Sequence, residues 1–166
     1  LGLIYVEGGN YALAQKHVME AIRWNPLYAN AYYLMGEIHS KRNGFAAAKK
    51  AYEQATRYGQ FGNRKWVGLA HYRLASLEEM SGRVQWAQKN YQLAYYYSKE
   101  GIPGLKEKVS GLDLSDQTLK EIVASWVFER NYFRERGDEL LGQKRYPEAL
   151  RFYQAARMIA PNDAVS

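Results

Sequence analysis

The sequence predicts an all-α fold, a solenoid of stacked helix pairs. Three observations carry this. Small and apolar residues recur at a fixed period: Gly2 and Gly36, Tyr11 and Phe45, Ala14 and Ala48, Ala21 and Ala55 are each 34 residues apart. Within each period the apolar residues fall three and four apart, the spacing of one helix face. Turn residues (Gly8-Gly9-Asn10, Asn43-Gly44, Ser81-Gly82) then punctuate the chain between the helical stretches. A unit that cannot bury its apolar face alone must stack on its neighbours, which yields a superhelical solenoid of helix pairs.

The elements follow in order. The first repeat keeps about Leu1 to Glu7 of a leading helix, turns at Gly8-Gly9-Asn10, and continues in a helix from Tyr11 to Trp24 with Ala14, Val18, Ala21 and Ile22 inward. Asn25-Pro26 ends it, because proline has no N–H to continue a helix. The second repeat predicts helices near Tyr28–Lys41 and Phe45–Tyr58, followed by a loop at Gly59-Gln60-Phe61-Gly62-Asn63 that delays the next repeat by five residues. The third predicts helices near Lys65–Met80 and Val84–Ser98, marked by Leu74, Ala75, Glu78, Gly82, Val84, Ala87, Tyr91 and Ala94.

A 28-residue insertion follows. Gly101 to about Asp113 reads as a loop, with Ser115 or Asp113 capping the next helix. Neither Gly nor Pro interrupts Asp116 to Arg136, so one long helix is expected over roughly 115–142, its first half an addition to the last repeat. That repeat reads Phe133, Gly137, Leu140, Tyr146, Ala149, Leu150, Tyr153, Ala156, Ile159 and Pro161. Its second helix starts at Pro147, where a fixed φ suits the first helical position, and Pro161 stops it. The domain reading is three repeats in 1–101, an inserted loop and helix extension in 102–129, and a fourth repeat in 130–166. The insertion serves either as a second contact or as cover for an edge of the binding surface.

These repeats resemble the tetratricopeptide repeat, a helix–turn–helix unit of 34 residues. The resemblance runs from Leu1 to about Gly101 and from about Arg130 to the end. It implies a protein-binding scaffold and carries no reaction. It also implies a concave face lined by the leading helices. Carried onto this chain, that face holds Asn30, Tyr33, Glu37 and Lys41 from the second repeat. Leu69, Tyr72, Arg73 and Ser76 come from the third, and Asn131, Arg134 and Asp138 from the fourth. Arg73 matches one member of a Lys/Asn/Arg set with which a subset of the family clamps a C-terminal carboxylate. Leu34 and Tyr33 stand where its partners would be, so tail binding of that kind is not expected.

The remaining chemistry is sparse. The chain has 23 Lys+Arg against 17 Asp+Glu, a net charge of +6. Residues 1–101 hold 13 basic and 7 acidic side chains, and 102–166 hold 10 of each. The mild bias of the first part favours acidic partners. With no cysteine there is no disulfide or thiol chemistry, and the case for zinc is weak. His17, His39 and His71 are scattered, although His39 and His71 lie on leading helices of adjacent repeats. Glu78-Glu79, Asp138-Glu139 and Asp113/Asp116 form no recognisable acid–base pair, so neither an enzyme nor a cofactor is expected. Lys41-Arg42, Lys49-Lys50, Arg57 and Arg64-Lys65 could serve an anionic polymer, but Lys49 and Lys50 read as solvated charge and the balance is against nucleic acid.

Among the aromatics, Tyr11, Phe45, Tyr52, Tyr91, Tyr146 and Tyr153 are read as core. Tyr33, Tyr72 and Tyr95–Tyr97 fall off the core stripe and are read as exposed binding surface. The function expected is a scaffold that takes a protein or peptide segment in its groove, as part of a larger protein or assembly. The alternative is a regulatory or targeting module of an enzyme or of a bacterial envelope assembly (pilus, polysaccharide or outer membrane). No run reaches the length of a membrane span. A homo-oligomer is compatible with the sequence, and both cytoplasm and periplasm remain open.

Overall fold

A computed structural model describes residues 1–59, 64–98, 101–125 and 130–159. The described residues are helical throughout their regular structure and contain no strand. The helices are α1 (Gly2–Glu7), α2 (Tyr11–Trp24), α3 (Ala29–Lys41), α4 (Phe45–Tyr58), α5 (Arg64–Met80), α6 (Val84–Ser98), α7 (Leu105–Lys108), α8 (Asp116–Ser125), α9 (Arg130–Gly142) and α10 (Tyr146–Ile159). They form two compact units, Leu1–Ser125 and Trp126–Ser166. The expected all-α repeat fold is what the chain adopts. Whether α8 and α9 join in the single helix expected over 115–142 lies outside the described residues, as do the loop at 60–63 and the stop at Pro161.

Each repeat turns in the same way. The amides of Asn10, Gly44, Arg83 and Arg145 donate to the carbonyls of Tyr5, His39, Glu78 and Leu140, five residues back, at 2.8–2.9 Å. This is the six-to-one bond of a Schellman ending, and it requires a left-handed residue just before the donor. Gly9, Asn43, Gly82 and Lys144 fill that place, with φ of 73°, 58°, 73° and 60°. Glycine suits it at no steric cost, asparagine tolerates it, and lysine is strained there.

In the first unit, α3 and α4 pack as a pair, as do α5 and α6, and α3 also touches α1 and α5. The core follows the period: Ala14, Val18, Ala48, Tyr52, Ala55 and Leu74 are buried in one cluster. Gly36 is required where α3 crosses α4, because a Cβ there would lie 2.4 Å from the Tyr52 ring. Gly137 does the same against Tyr153 in the second unit, where Phe133, Leu140, Ala149, Phe152 and Ala155 are buried.

Two core assignments are corrected. Phe45 and Tyr146 are 44% and 59% exposed, and Leu150 in the same helix as Tyr146 is 57% exposed. Phe45 and Tyr146 are the first residues of α4 and α10. A helical side chain leans toward the N-terminus, so at the first position it projects past the helix end instead of onto its face.

The stretch read as a loop from Gly101 to Asp113 contains α7 and is docked: Ile102, Leu105 and Val109 are buried with Ala87, Tyr91 and Ala94. Of the two expected caps of α8, Ser115 holds the position and Asp113 braces Ser115. The Ser115 amide donates to Asp113 Oδ1 (2.9 Å), and the Thr118 amide donates to Ser115 Oγ (3.3 Å).

Candidate functional site

The leading helices α1, α3 and α5 of the first unit enclose a cavity of about 410 Å³. Leu3, Val6 and Glu7 of α1 form one wall. Tyr33, Leu34, Glu37 and Lys41 of α3 form the floor, Trp66 and Leu69 of α5 the other wall, and Tyr11 of α2 closes the side. Tyr33, Glu37, Lys41 and Leu69 therefore meet around one space. Leu3, Val6, Glu7, Tyr11, Leu34 and Trp66 are additional. The α1 wall was legible as one helix face, since Leu3, Val6 and Glu7 are three and four apart. Trp66 lies one turn before Leu69 on the same side of α5.

Tyr33 is not the exposed surface residue that its off-stripe position implies. It is 6% exposed, with its ring 5.2 Å from Trp66 and 5.7 Å from Tyr52. A leading helix in a stack packs against its own partner and against the next leading helix. Its buried arc is wider than one stripe, and Tyr33 falls inside it. Burial, and next the Glu37 carboxylate, push the Tyr33 phenol above its ordinary pKa.

Glu37 is the centre of the polar floor. Arg73 Nε and Nη2 donate to its two carboxylate oxygens at 2.8 and 2.9 Å. The Tyr52 hydroxyl donates to Oε1 at 2.5 Å. Burial, followed by that carboxylate, pushes the Tyr52 phenol well above the usual range. For Arg73, burial alone would lower the pKa, but Glu37 outweighs it and holds the guanidinium charged. Paired in this two-pronged way, Arg73 ties α5 to α3 and is already committed within the chain. Lys41 at the end of α3 is exposed and lines the same cavity.

Of the other expected residues, those of the first unit lie outside the cavity lining. Tyr72 is half-buried beside Gly104, and the Ser76 hydroxyl donates to the Tyr72 carbonyl (3.1 Å). The Asn30 carboxamide donates to the Tyr28 hydroxyl (3.4 Å) and does not line the cavity. In the second unit, Asp138 accepts from the Tyr153 hydroxyl (2.6 Å) and Arg134 is exposed, while the Asn131 side chain lies outside the described residues. Tyr95, Tyr96 and Tyr97 are all half-buried.

The other cations and histidines are largely engaged too. Lys49, expected to be solvated charge, reaches Glu78 of the next repeat at 2.8 Å, and Arg83 reaches the same carboxylate at 2.5 Å. Arg64 lies 5.4 Å from the centre of the Tyr96 ring. His71 is buried, bonded to Asn90 Oδ1 at 2.9 Å and stacked on Tyr97. Burial pushes its pKa down to about 4, against the opposing effect of the Asn90 bond. Among the described residues no group of three His, Cys, Asp or Glu could hold a metal. None of the described helices is long and apolar enough to cross a membrane.

Comparison with known proteins agrees with this architecture. Residues 1–26 and 29–58 match the family model described as tetratricopeptide repeat. The chain is similar to Tetratricopeptide repeat protein 37 of Xenopus laevis (27% identity) and to Superkiller complex protein 3 of Mus musculus and of Homo sapiens (24% each). Each alignment spans 105 residues, 63% of this chain but 6% of the relative. Two matched repeats, the same left-handed turn in each helix pair and the glycine crossings at Gly36 and Gly137 show that the chain carries tetratricopeptide repeats, units that in general serve as protein-interaction scaffolds.

Proposed function

We propose that the chain holds a peptide or partner segment in the groove between α1, α3 and α5. The observation that supports this best is the cavity itself, an aliphatic and aromatic hollow with one uncommitted lysine at its edge. Leu3, Val6, Leu34, Trp66 and Leu69 would hold apolar anchors, as pockets with few polar groups do. Lys41 would meet an acidic group of the partner, in keeping with the positive balance of the first part of the chain. Glu37 and Arg73 neutralise one another and shape the floor, so Glu7 on the α1 wall and Lys41 on α3 set the charge pattern that a partner meets. The names of two relatives denote proteins of a complex, which fits work within a larger assembly.

The test is capture of partners from the source organism with the chain beside a Leu3→Ser/Lys41→Ser variant. Both side chains are exposed, so the fold should survive. Substituting Tyr33 or Arg73 would not serve, because each is built into the packing. A partner kept by the parent chain and lost by the variant supports the groove. Equal capture by both removes it.

A further inference from the structure

We infer that Ile102–Leu114 is a tethered occupant of the third repeat's wall, which an external amphipathic segment of the same make displaces. That make is aliphatic at its first, fourth and eighth positions, with a cation at the seventh. The inference rests on the groove reading and names the class of partner: a short amphipathic helix in another protein.

Four observations carry it. The segment lies in the insertion, outside the repeat period, so it is not part of the helix–turn–helix plan. Its aliphatic residues Ile102, Leu105 and Val109 are nevertheless 6%, 0% and 4% exposed. They are buried against Ala75, Tyr91 and Ala94, with Leu69 and Tyr72 at the margin. Leu69 also lines the α1/α3/α5 cavity, so the covered wall and the open groove share a side chain.

The second element of the fit is polar and reversible. Lys108 Nζ donates to both oxygens of Glu79, at 2.9 and 2.7 Å, and lies 5.5 Å from the centre of the Tyr91 ring. The Tyr91 hydroxyl donates to the same carboxylate (2.8 Å). Gln92 holds the far end through the Asp113 carbonyl (2.8 Å). Lys108 and Glu79 are both exposed, so water can replace this latch at little cost.

The segment also has little structure of its own. Its helix is the single turn Leu105–Lys108, flanked by Gly104 and Gly111 with φ of 76° and 82°. A stretch held by three buried and two half-buried aliphatic side chains, one bond from Gln92 and an exposed ion pair, whose own backbone bonds are all short-range turns, opens locally before the repeats beneath it do. A partner helix bearing the same triad would then find Leu69, Tyr72, Ala75 and Tyr91 uncovered.

The experiment uses the whole chain. In hydrogen exchange, the amides of Val109 and Leu112 should exchange at least about 100-fold faster than those of Tyr91 and Ala94 in α6. A synthetic peptide of residues 101–114 is then added to a Leu105→Asp/Lys108→Glu variant, whose own segment is undocked. Saturable amide shifts at Leu69, Tyr72 and Ala75 are expected, and in the parent chain the same shifts at higher peptide concentration, because there the peptide must first displace the tethered segment. The inference is overturned if 101–114 exchanges at the rate of α6, or if the opened variant ignores the peptide. Should the variant fail to fold, exchange in the parent chain decides. Loss of the groove reading, seen as partner capture unaffected by Leu3→Ser/Lys41→Ser, would leave both of these readouts unchanged.

Discussion

Gly36→Ala tests the packing that fixes the floor of the groove. The added methyl would lie 2.4 Å from Tyr52 Cε1 and 2.5 Å from Cδ1, about 1 Å inside ordinary contact. The ring has nowhere to go. Tyr52 is 1% exposed, its hydroxyl is held by Glu37, and its far side meets Tyr33. Overpacking of this kind costs about 1–3 kcal/mol. Alanine gains about 1 kcal/mol over glycine inside a helix. The net expectation is a loss of up to about 2 kcal/mol, read as a lower urea midpoint by far-ultraviolet circular dichroism. Gly142→Ala is the matched control, since nothing lies within 4 Å of a Cβ there, and it should be neutral or stabilising. The third repeat carries Ala75 opposite Tyr91, so a helix pair can be built around a methyl, but the α3/α4 pair is closed too tightly for one. If Gly36→Ala stabilises the chain as Gly142→Ala does, the close crossing of α3 and α4 is wrong.

Lys144→Gly should stabilise the chain by about 0.5–1 kcal/mol in the same assay, because lysine at φ 60° occupies a turn position that glycine holds in two other repeats. Tyr52→Phe should cost about 1–2 kcal/mol, since it strips a hydrogen bond from a carboxylate on the groove floor; an unchanged midpoint would mean that Glu37 does not need it. The His71 imidazole is neutral when folded, with its pKa lowered to about 4 from an ordinary 6.5. The unfolded chain therefore binds the extra proton between those values. This contribution is full above pH 6.5 and is lost as pH falls to about 4, a change of about 3 kcal/mol. Urea titrations at pH 7 and pH 4 should show that difference in the parent chain and less of it in His71→Phe; equal slopes would contradict it.

Much of the fold was written locally. The 34-residue period and the turn residues placed α2, α4 and α6 at the expected bounds, because a Schellman ending needs a left-handed residue at one fixed place. What the sequence did not disclose depends on residues brought together by stacking. Lys49 finds Glu78, and Glu37 finds Arg73, across a repeat boundary. Tyr33 is buried by Trp66 of the following repeat. The cavity takes walls from three leading helices, and although Leu3, Val6 and Glu7 share a helix face, their spacing does not say that this face meets α3 and α5. Phe45 and Tyr146 misled for the opposite reason: they match the repeat's lettering, yet stand at helix starts where nothing covers them.

The most direct test of the groove is site-specific photo-crosslinking in cells of the source organism. A photoreactive phenylalanine is placed at Lys41 on the cavity edge and, separately, at Lys50 on the exposed side of α4. The account predicts one discrete crosslinked protein from position 41, abolished by Leu3→Ser, and no such product from position 50. A partner captured at position 50 and not at 41 would contradict it.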